Sequence, residues 1–160
     1  MKHLLDDVRR AIASENWYAA LGLALSLPDL CGQLETPGVP SAERYTRWFK
    51  QHLEPFYTRT VANDPQLLLS ASDCYALRCA FLGHDSLDES ARRRLLERFE
   101  LVVSPPAWVV HLHHNGNRLE LQIDQLCDEI CVAVEVWLAT TVDPAVRRRI
   151  EALPTIHRPF

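Results

Sequence analysis

The chain has 160 residues, 48% of them apolar and 24% charged, a composition that excludes a disordered or fibrous protein. A domain of this length buries roughly 70% of its unfolded surface, so folding requires neither a disulfide framework nor a structural metal. The formal charge of −4, from 21 acidic against 17 basic residues, excludes a protein that coats nucleic acid by bulk electrostatics.

The first 27 residues read as helix. Leu4, Leu5, Val8 and Ile12 follow the three- and four-residue rhythm, and Trp17, Leu21, Ala24 and Leu25 resume it slightly out of phase after Ser14, a candidate cap. Pro28 interrupts this pattern, which predicts a bend or a kinked helix ending near Gly32. Residues 36–40, Thr-Pro-Gly-Val-Pro, are a loop. Ser41 is the expected N-cap of a helix carrying Tyr45, Trp48, Phe49 and Leu53 on one stripe, and Pro55 and Pro65 bracket a less regular stretch. Ser70-Ala-Ser-Asp73 has the capping-box form and opens a helix through Leu82, with Cys74, Leu77 and Phe81 inward. Ser86-Leu-Asp-Glu89 repeats the device before an arginine-rich helix around 88–98, whose inner face is Ala91, Leu95 and Phe99.

Asn115-Gly116 is the preferred centre of a type I′ hairpin turn. Centring the turn there sets Leu112 opposite Leu119, Val110 opposite Leu121 and Trp108 opposite Ile123, with every apolar side chain on one face. The other face then pairs His113 with Arg118 and His111 with Glu120. Leu101 to Val103 can add a third strand, giving a hairpin or meander over about 101–123. From Ile123 the rhythm of Leu126, Cys127, Ile130, Val134, Trp137 and Leu138 is helical again, and Asp143-Pro144 opens a last short helix. The predicted fold is mainly α: a single domain over 1–160, a helical bundle with a small antiparallel hairpin or meander inserted before the last long helix.

The five cysteines, at 31, 74, 79, 127 and 131, show no C-x-x-C pair and fit core packing. Acids at Asp6 and Asp7 stand where a signal peptide needs an apolar run, and the longest apolar stretch, Ala19 to Leu27, is far short of a membrane span. The expected setting is the reduced cytoplasm, with no membrane partner. His111, His113 and His114 suggest metal ligands, but the hairpin register assigns them to an exposed polar face, and no metal or other cofactor is expected. Nucleophile elbows, phosphate loops and dinucleotide fingerprints are absent from the sequence.

Fifteen of the 17 basic residues are arginine, whose planar fork suits phosphate and carboxylate. The runs Arg92-Arg93-Arg94 and Arg147-Arg148-Arg149 each span about 200° of a helix and read as solvated faces. Arg78 differs, because it lies in an apolar-rich segment, Asp73-Cys-Tyr-Ala-Leu-Arg78-Cys-Ala-Phe-Leu-Gly-His84-Asp85. An arginine followed four to six residues later by a histidine, on a helix of an all-α bundle, resembles the motif of the HEPN superfamily. Arg47-Trp-Phe-Lys-Gln-His52 meets the same spacing. The context favours Arg78: its segment, Trp17 to Gly32 and Cys127 to Leu138 together resemble a group of uncharacterised bacterial proteins with HEPN-like helices.

That resemblance implies a metal-independent RNA-cleaving or RNA-binding domain, in a toxin or defence system, acting as a homodimer whose motifs line one cleft, with an antitoxin-like protein as a further partner. His84 would take the proton of an RNA 2′-hydroxyl and Arg78 would hold the charge growing on the attacked phosphate. Asp73, Tyr75 and Asp29 would support them. Two features depart from the superfamily pattern: Cys79 follows the arginine directly, and Gly83 precedes His84 as a helix end. Continuous helix would set His84 about 120° around and about 9 Å along from Arg78, so convergence requires a left-handed turn at Gly83 or a dimer interface. Otherwise Arg78 is a structural arginine paired with Asp29 or Asp73, and the chain is a non-catalytic helical dimerisation or protein-interaction module.

Overall fold

The computed structural model describes residues 1–83, 88–103, 105 and 107–156. The protein is mainly α, with two small sheets. Helix α1, Lys2–Ala13, buries Leu5 and Val8. The chain reverses at Glu15, which adopts a left-handed φ of +55°, and α2 follows as Trp17–Glu35. The expected end near Gly32 is therefore three residues early. Pro28 removes one helical hydrogen bond, yet the residues on both sides of it, Ala24, Leu25, Leu27, Cys31 and Leu34, are all buried. Packing of that stripe outweighs the local cost of the proline. Helix α2 is the centre of the fold, touching α1, α3 (Ser41–His52), α4 (Ala71–Leu82), α6 (Ile123–Thr140) and α7 (Pro144–Glu151).

Helix α3 sinks Tyr45, Trp48 and Phe49 into the core. Its N-cap is Pro40, not Ser41; the Ser41 hydroxyl turns instead to Asp29 on α2, donating to Oδ1 at 2.9 Å. Gly32 lets the two helices close up, because a Cβ at that position would stand 2.8 Å from the carbonyl oxygen of Arg44.

The stretch between Pro55 and Pro65 is regular after all. A tight turn at Glu54–Tyr57 leads into β1, Thr58–Val61, and β2, Asp64–Leu67, an antiparallel hairpin running from Thr58 opposite Leu67 to Val61 opposite Asp64. Ala62 and Asn63 both have positive φ, as in a type I′ turn. All eight strand residues are exposed, so no inside–outside alternation marks the hairpin in the sequence, and Pro65 is tolerated because a two-stranded ribbon has free edges.

Helix α4, Ala71–Leu82, starts with the expected capping box, Ser70 and Asp73, and ends at Gly83 in the left-handed conformation, φ +71°. Helix α5, Glu89–Arg98, is capped by Asp88, which accepts from the amide of Ala91 at 2.7 Å; Ser86, the expected cap, lies outside the described residues. The second sheet has the order β3-β5-β4, from Phe99–Val102, Arg118–Gln122 and His113–Asn115. Strand β3 pairs parallel to β5 and β4 antiparallel to it.

The β4–β5 register differs from the expected one: His113 faces Glu120, and Arg118 faces Asn115. Gly116, at φ +61°, takes the first central position of the turn with Asn117 beside it, the φ pattern of a type II′ turn rather than an Asn-Gly type I′ turn. The shift is two residues, so the faces are kept and Leu112, Leu119 and Leu121 remain buried. Leu112 itself has φ +57°, which stops the extended run. Trp108 therefore does not oppose Ile123 and stands 69% exposed.

Helix α6, Ile123–Thr140, buries the expected stripe, and α7, Pro144–Glu151, opens on the Asp143 cap. In the arginine run of α7, Arg147 and Arg148 are exposed as expected, and Arg149 is half-buried. Arg147 donates to the Thr141 carbonyl at 2.9 Å, beyond the end of α6, and Arg149 donates to Leu34 and Glu35 carbonyls at 2.6 and 3.4 Å, at the end of α2. Both satisfy carbonyls that the helix ends leave open. No helix among the described residues is long and apolar enough to cross a membrane.

Candidate functional site

Arg78 sits on the inner side of α4, 9% exposed. Its Nη2 donates to Asp29 Oδ2 at 2.9 Å. The other oxygen of Asp29 accepts from Arg44 Nε at 2.7 Å and from Ser41. A second Arg44 nitrogen donates to the Val39 carbonyl at 3.0 Å. The guanidinium carbon of Arg78 lies 5.9 Å from the ring centre of Tyr45 and 5.8 Å from that of Tyr75, and the two rings meet edge to face at 5.3 Å. Tyr45 shares a hydrogen bond with Cys74 Sγ at 3.3 Å, and burial pushes the Cys74 thiol up to about 12.

This cluster fastens three helices at one point. Asp29 comes from α2, Ser41, Arg44 and Tyr45 from α3, and Cys74, Tyr75 and Arg78 from α4. A cation in this setting is held by a charge-assisted hydrogen bond and two aromatic faces. The Nε of Arg78 is shut off from solvent and has no hydrogen-bond partner. The side chain is 11% exposed, and among the described residues its charge is matched by Asp29.

Of the other expected site residues, Asp29 and Tyr75 lie against Arg78, whereas Asp73 is engaged elsewhere. Asp73 is divided between the Ser70 cap and Arg98, whose Nη1 lies 2.9 Å away. Tyr75 supplies a ring face and Asp29 a structural carboxylate. His84 lies outside the described residues. What is described just before it is the left-handed Gly83, which ends α4 at the position the sequence indicates.

The hairpin histidines separate. His113 pairs with Glu120 at 3.1 Å on the exposed face. His111, expected on that same face, is 94% buried by its side chain (6% exposed) and contacts Glu129 through Nε2 at 3.0 Å. Its Nδ1 accepts from the backbone amide of Gln122 at 3.2 Å, which leaves the ring hydrogen on Nε2, directed at Glu129. Both ring nitrogens are thus used in anchoring the chain before β4. Among the described residues no group of three or more His, Cys, Asp or Glu side chains is placed to hold a metal.

No family model, curated protein or solved structure matches this chain. Its functional reading rests on the geometry.

Two surface features were not singled out by their residue types. One is an apolar groove of about 230 Å³ lined by Trp17, Tyr18, Leu21, Phe81, Leu101, Val103 and Ile123. Tyr18 stacks on Phe81 at 5.8 Å while remaining 81% exposed. The other is a cleft at the opposite ends of α2 and α6, where Glu35 meets His52 and Trp137. In the sequence His52 is noticeable only as the second member of the Arg47 spacing. In the structure Arg47 pairs instead with Glu43 at 2.6 Å, one turn earlier on the exposed face of α3.

Proposed function

We propose that the protein is a non-catalytic helical module that pairs with a second copy of itself through the outer edge of β3 and the groove beside it. The commitment of Arg78 carries this reading. A phosphate clamp must face its substrate, whereas Arg78 is spent on Asp29 between two tyrosine rings. The geometry therefore lends more support to an interaction module than to an RNA-cleaving or RNA-binding domain built on Arg78 and His84.

Strand β3 supplies the surface. It is an edge of its sheet, and an edge offers a row of backbone donors and acceptors for another strand. Its sequence, Phe-Glu-Leu-Val followed by Val103, has no lysine or proline to block pairing. Antiparallel pairing of two copies about Leu101 sets Phe99 opposite Val103 and Glu100 opposite Val102. No like charges then face each other, and Glu100 already has Arg118 of its own chain at 3.9 Å. Leu101 and Val103 also line the groove with Tyr18 and Phe81, so the same contact joins the two grooves and removes Tyr18 from water. A two-fold interface of this kind is self-complementary and closed.

Sedimentation equilibrium tests the reading. Wild-type protein at concentrations on the order of 100 µM should sediment at twice the 18.3 kDa chain mass, and Val103→Lys at the single-chain mass. A monomeric wild type, or a Val103→Lys variant that still pairs, overturns the proposal. Incubation with RNA in EDTA supplies a second arm. Intact RNA agrees with the module, and cleavage that is lost in His84→Ala overturns its non-catalytic character.

A further inference from the structure

The chain has four asparagines, at 16, 63, 115 and 117, followed by Trp17, Asp64, Gly116 and Arg118. The following residue decides a reaction that asparagine undergoes without an enzyme. The backbone nitrogen of the next residue attacks the side-chain carbonyl carbon and closes a five-membered ring. A side chain on that next residue hinders the approach, and glycine has none. Asn115 is the asparagine that meets this condition, and it stands exposed at the end of β4, where the chain turns into β5.

The turn leaves room for the ring. Gly116 has φ +61°, and a Cβ placed on it would meet nothing within 4 Å, so no packed neighbour holds the turn closed. Among the described residues the Gly116 amide makes no turn, loop or cap hydrogen bond. The Asn115 side chain donates through Nδ2 to Glu120 Oε1 at 3.1 Å. The other oxygen of Glu120 contacts His113 Nδ1 at 3.1 Å, and the Glu120 side chain is 14% exposed, so it has little freedom to turn away. Arg118, opposite Asn115 in the ladder, has its Nη1 3.9 Å from Glu100.

We propose that Asn115 is a self-modification site, whose conversion to isoaspartate detaches β4 from β5. The Gly116 nitrogen gives its hydrogen to hydroxide and bonds to Asn115 Cγ. The Cγ–Nδ2 bond breaks, and the nitrogen takes a proton from water and leaves as ammonia. Water then opens the ring. Addition at Cγ breaks the new bond and yields aspartate; addition at the backbone carbonyl carbon breaks the original peptide bond and yields isoaspartate. Aspartate sets a carboxylate against Glu120 in place of a donor, and facing like charges destabilise a strand pair. Isoaspartate routes the chain through Cβ and Cγ, one atom longer than before, which a two-residue turn closed by the Asn115–Arg118 pair cannot absorb. Strand β4 has three residues, all exposed, so little packing holds it once that pair is lost.

The test incubates the full chain in warm, mildly alkaline buffer beside a synthetic peptide of residues 111–120. Peptide mapping follows the mass gain of one unit, and a protein-isoaspartate methyltransferase labels the isoaspartate. The proposal predicts conversion at Asn115 within tenfold of the peptide rate, with Asn117 and the Gly116→Ala variant at least tenfold slower. Asn115→Gln, which keeps the carboxamide but cannot close a five-membered ring, should stay unmodified with β4 in place. The isoaspartate fraction, separated by its added negative charge, should lose the Asn115–Arg118 and His113–Glu120 contacts seen by NMR while the β1–β2 hairpin keeps its own. Conversion more than tenfold slower than in the peptide, equal conversion at Asn117 or in Gly116→Ala, or an isoaspartate product that retains both contacts overturns it.

Discussion

At the scale of single residues, charge is settled by what each side chain touches. Arg78 and Arg44 share one carboxylate, and removing one member of such a buried set leaves the other insufficiently compensated. Arg78→Met should lower unfolding stability by about 3 kcal/mol, the usual cost of breaking a buried pair. In a double-mutant cycle with Asp29→Asn the two losses should fall short of additivity by more than about 0.5 kcal/mol. Urea denaturation measures both, and additive effects would remove the Arg78–Asp29 contact from the stability of the fold.

His52 gives a pH signature. Its folded-state pKa lies below the ordinary 6.5 through burial, so as pH falls below about 6.5 the unfolded chain takes up the proton first. Stability due to this group is present above that pH and is lost as pH falls toward the folded value. Wild type should lose stability relative to His52→Gln between pH 7 and pH 5. Parallel stability curves would contradict the assignment.

At the scale of elements, close approach of helices is what makes the Asp29 cluster possible. Gly32→Ala adds helix propensity of up to about 1 kcal/mol, but its Cβ meets the Arg44 carbonyl at 2.8 Å. Separating α2 from α3 costs about 1–3 kcal/mol, as overpacking does, so the variant should be net destabilised. A stabilised Gly32→Ala would show that the helices yield without cost. At the far end of α2, Arg149→Ala should cost about 1 kcal/mol by opening the Leu34 and Glu35 carbonyls, measured in the same denaturation series.

The elements that were legible in the sequence are those with a buried stripe or a chemically specific cap. The α6 rhythm, the Ser70–Asp73 box, Gly83 and Asp143 all lie where the residue pattern puts them. The β1–β2 hairpin was not legible, because a wholly exposed ribbon has no alternation to read. The β4–β5 turn was recognised at its glycine but placed one position away, since Gly116 serves equally as the second residue of one turn type and the first of another. Pro28 misled for a different reason: a local breaker was overruled by contacts with five other helices. At the candidate site, the suspicion that a cation in an apolar segment needs a partner was sound, and Asp29 is that partner. That Arg147 and Arg149 reach the ends of other helices cannot be read from spacing, because it depends on how α7 folds back.

At the scale of the whole molecule, the helical body is closed by its core and the small sheet is left with an open side. Tyr18 and Val103 keep large exposed apolar surfaces next to that side, 81% and 50% respectively, and covering such surface is the ordinary driving force for association. The pairing proposed for β3 joins two three-stranded sheets into one of six strands and leaves the Glu35–His52 cleft, at the other end of α2, open in both copies.

Amide hydrogen exchange along β3, measured at increasing protein concentration, tests the central claim most directly. Pairing through the strand edge predicts that amides of Phe99 to Val103 pointing away from β5 exchange quickly in dilute solution. They should become protected as concentration rises, while the β1–β2 hairpin stays unchanged. Exchange at those amides that is the same at every concentration would contradict the account.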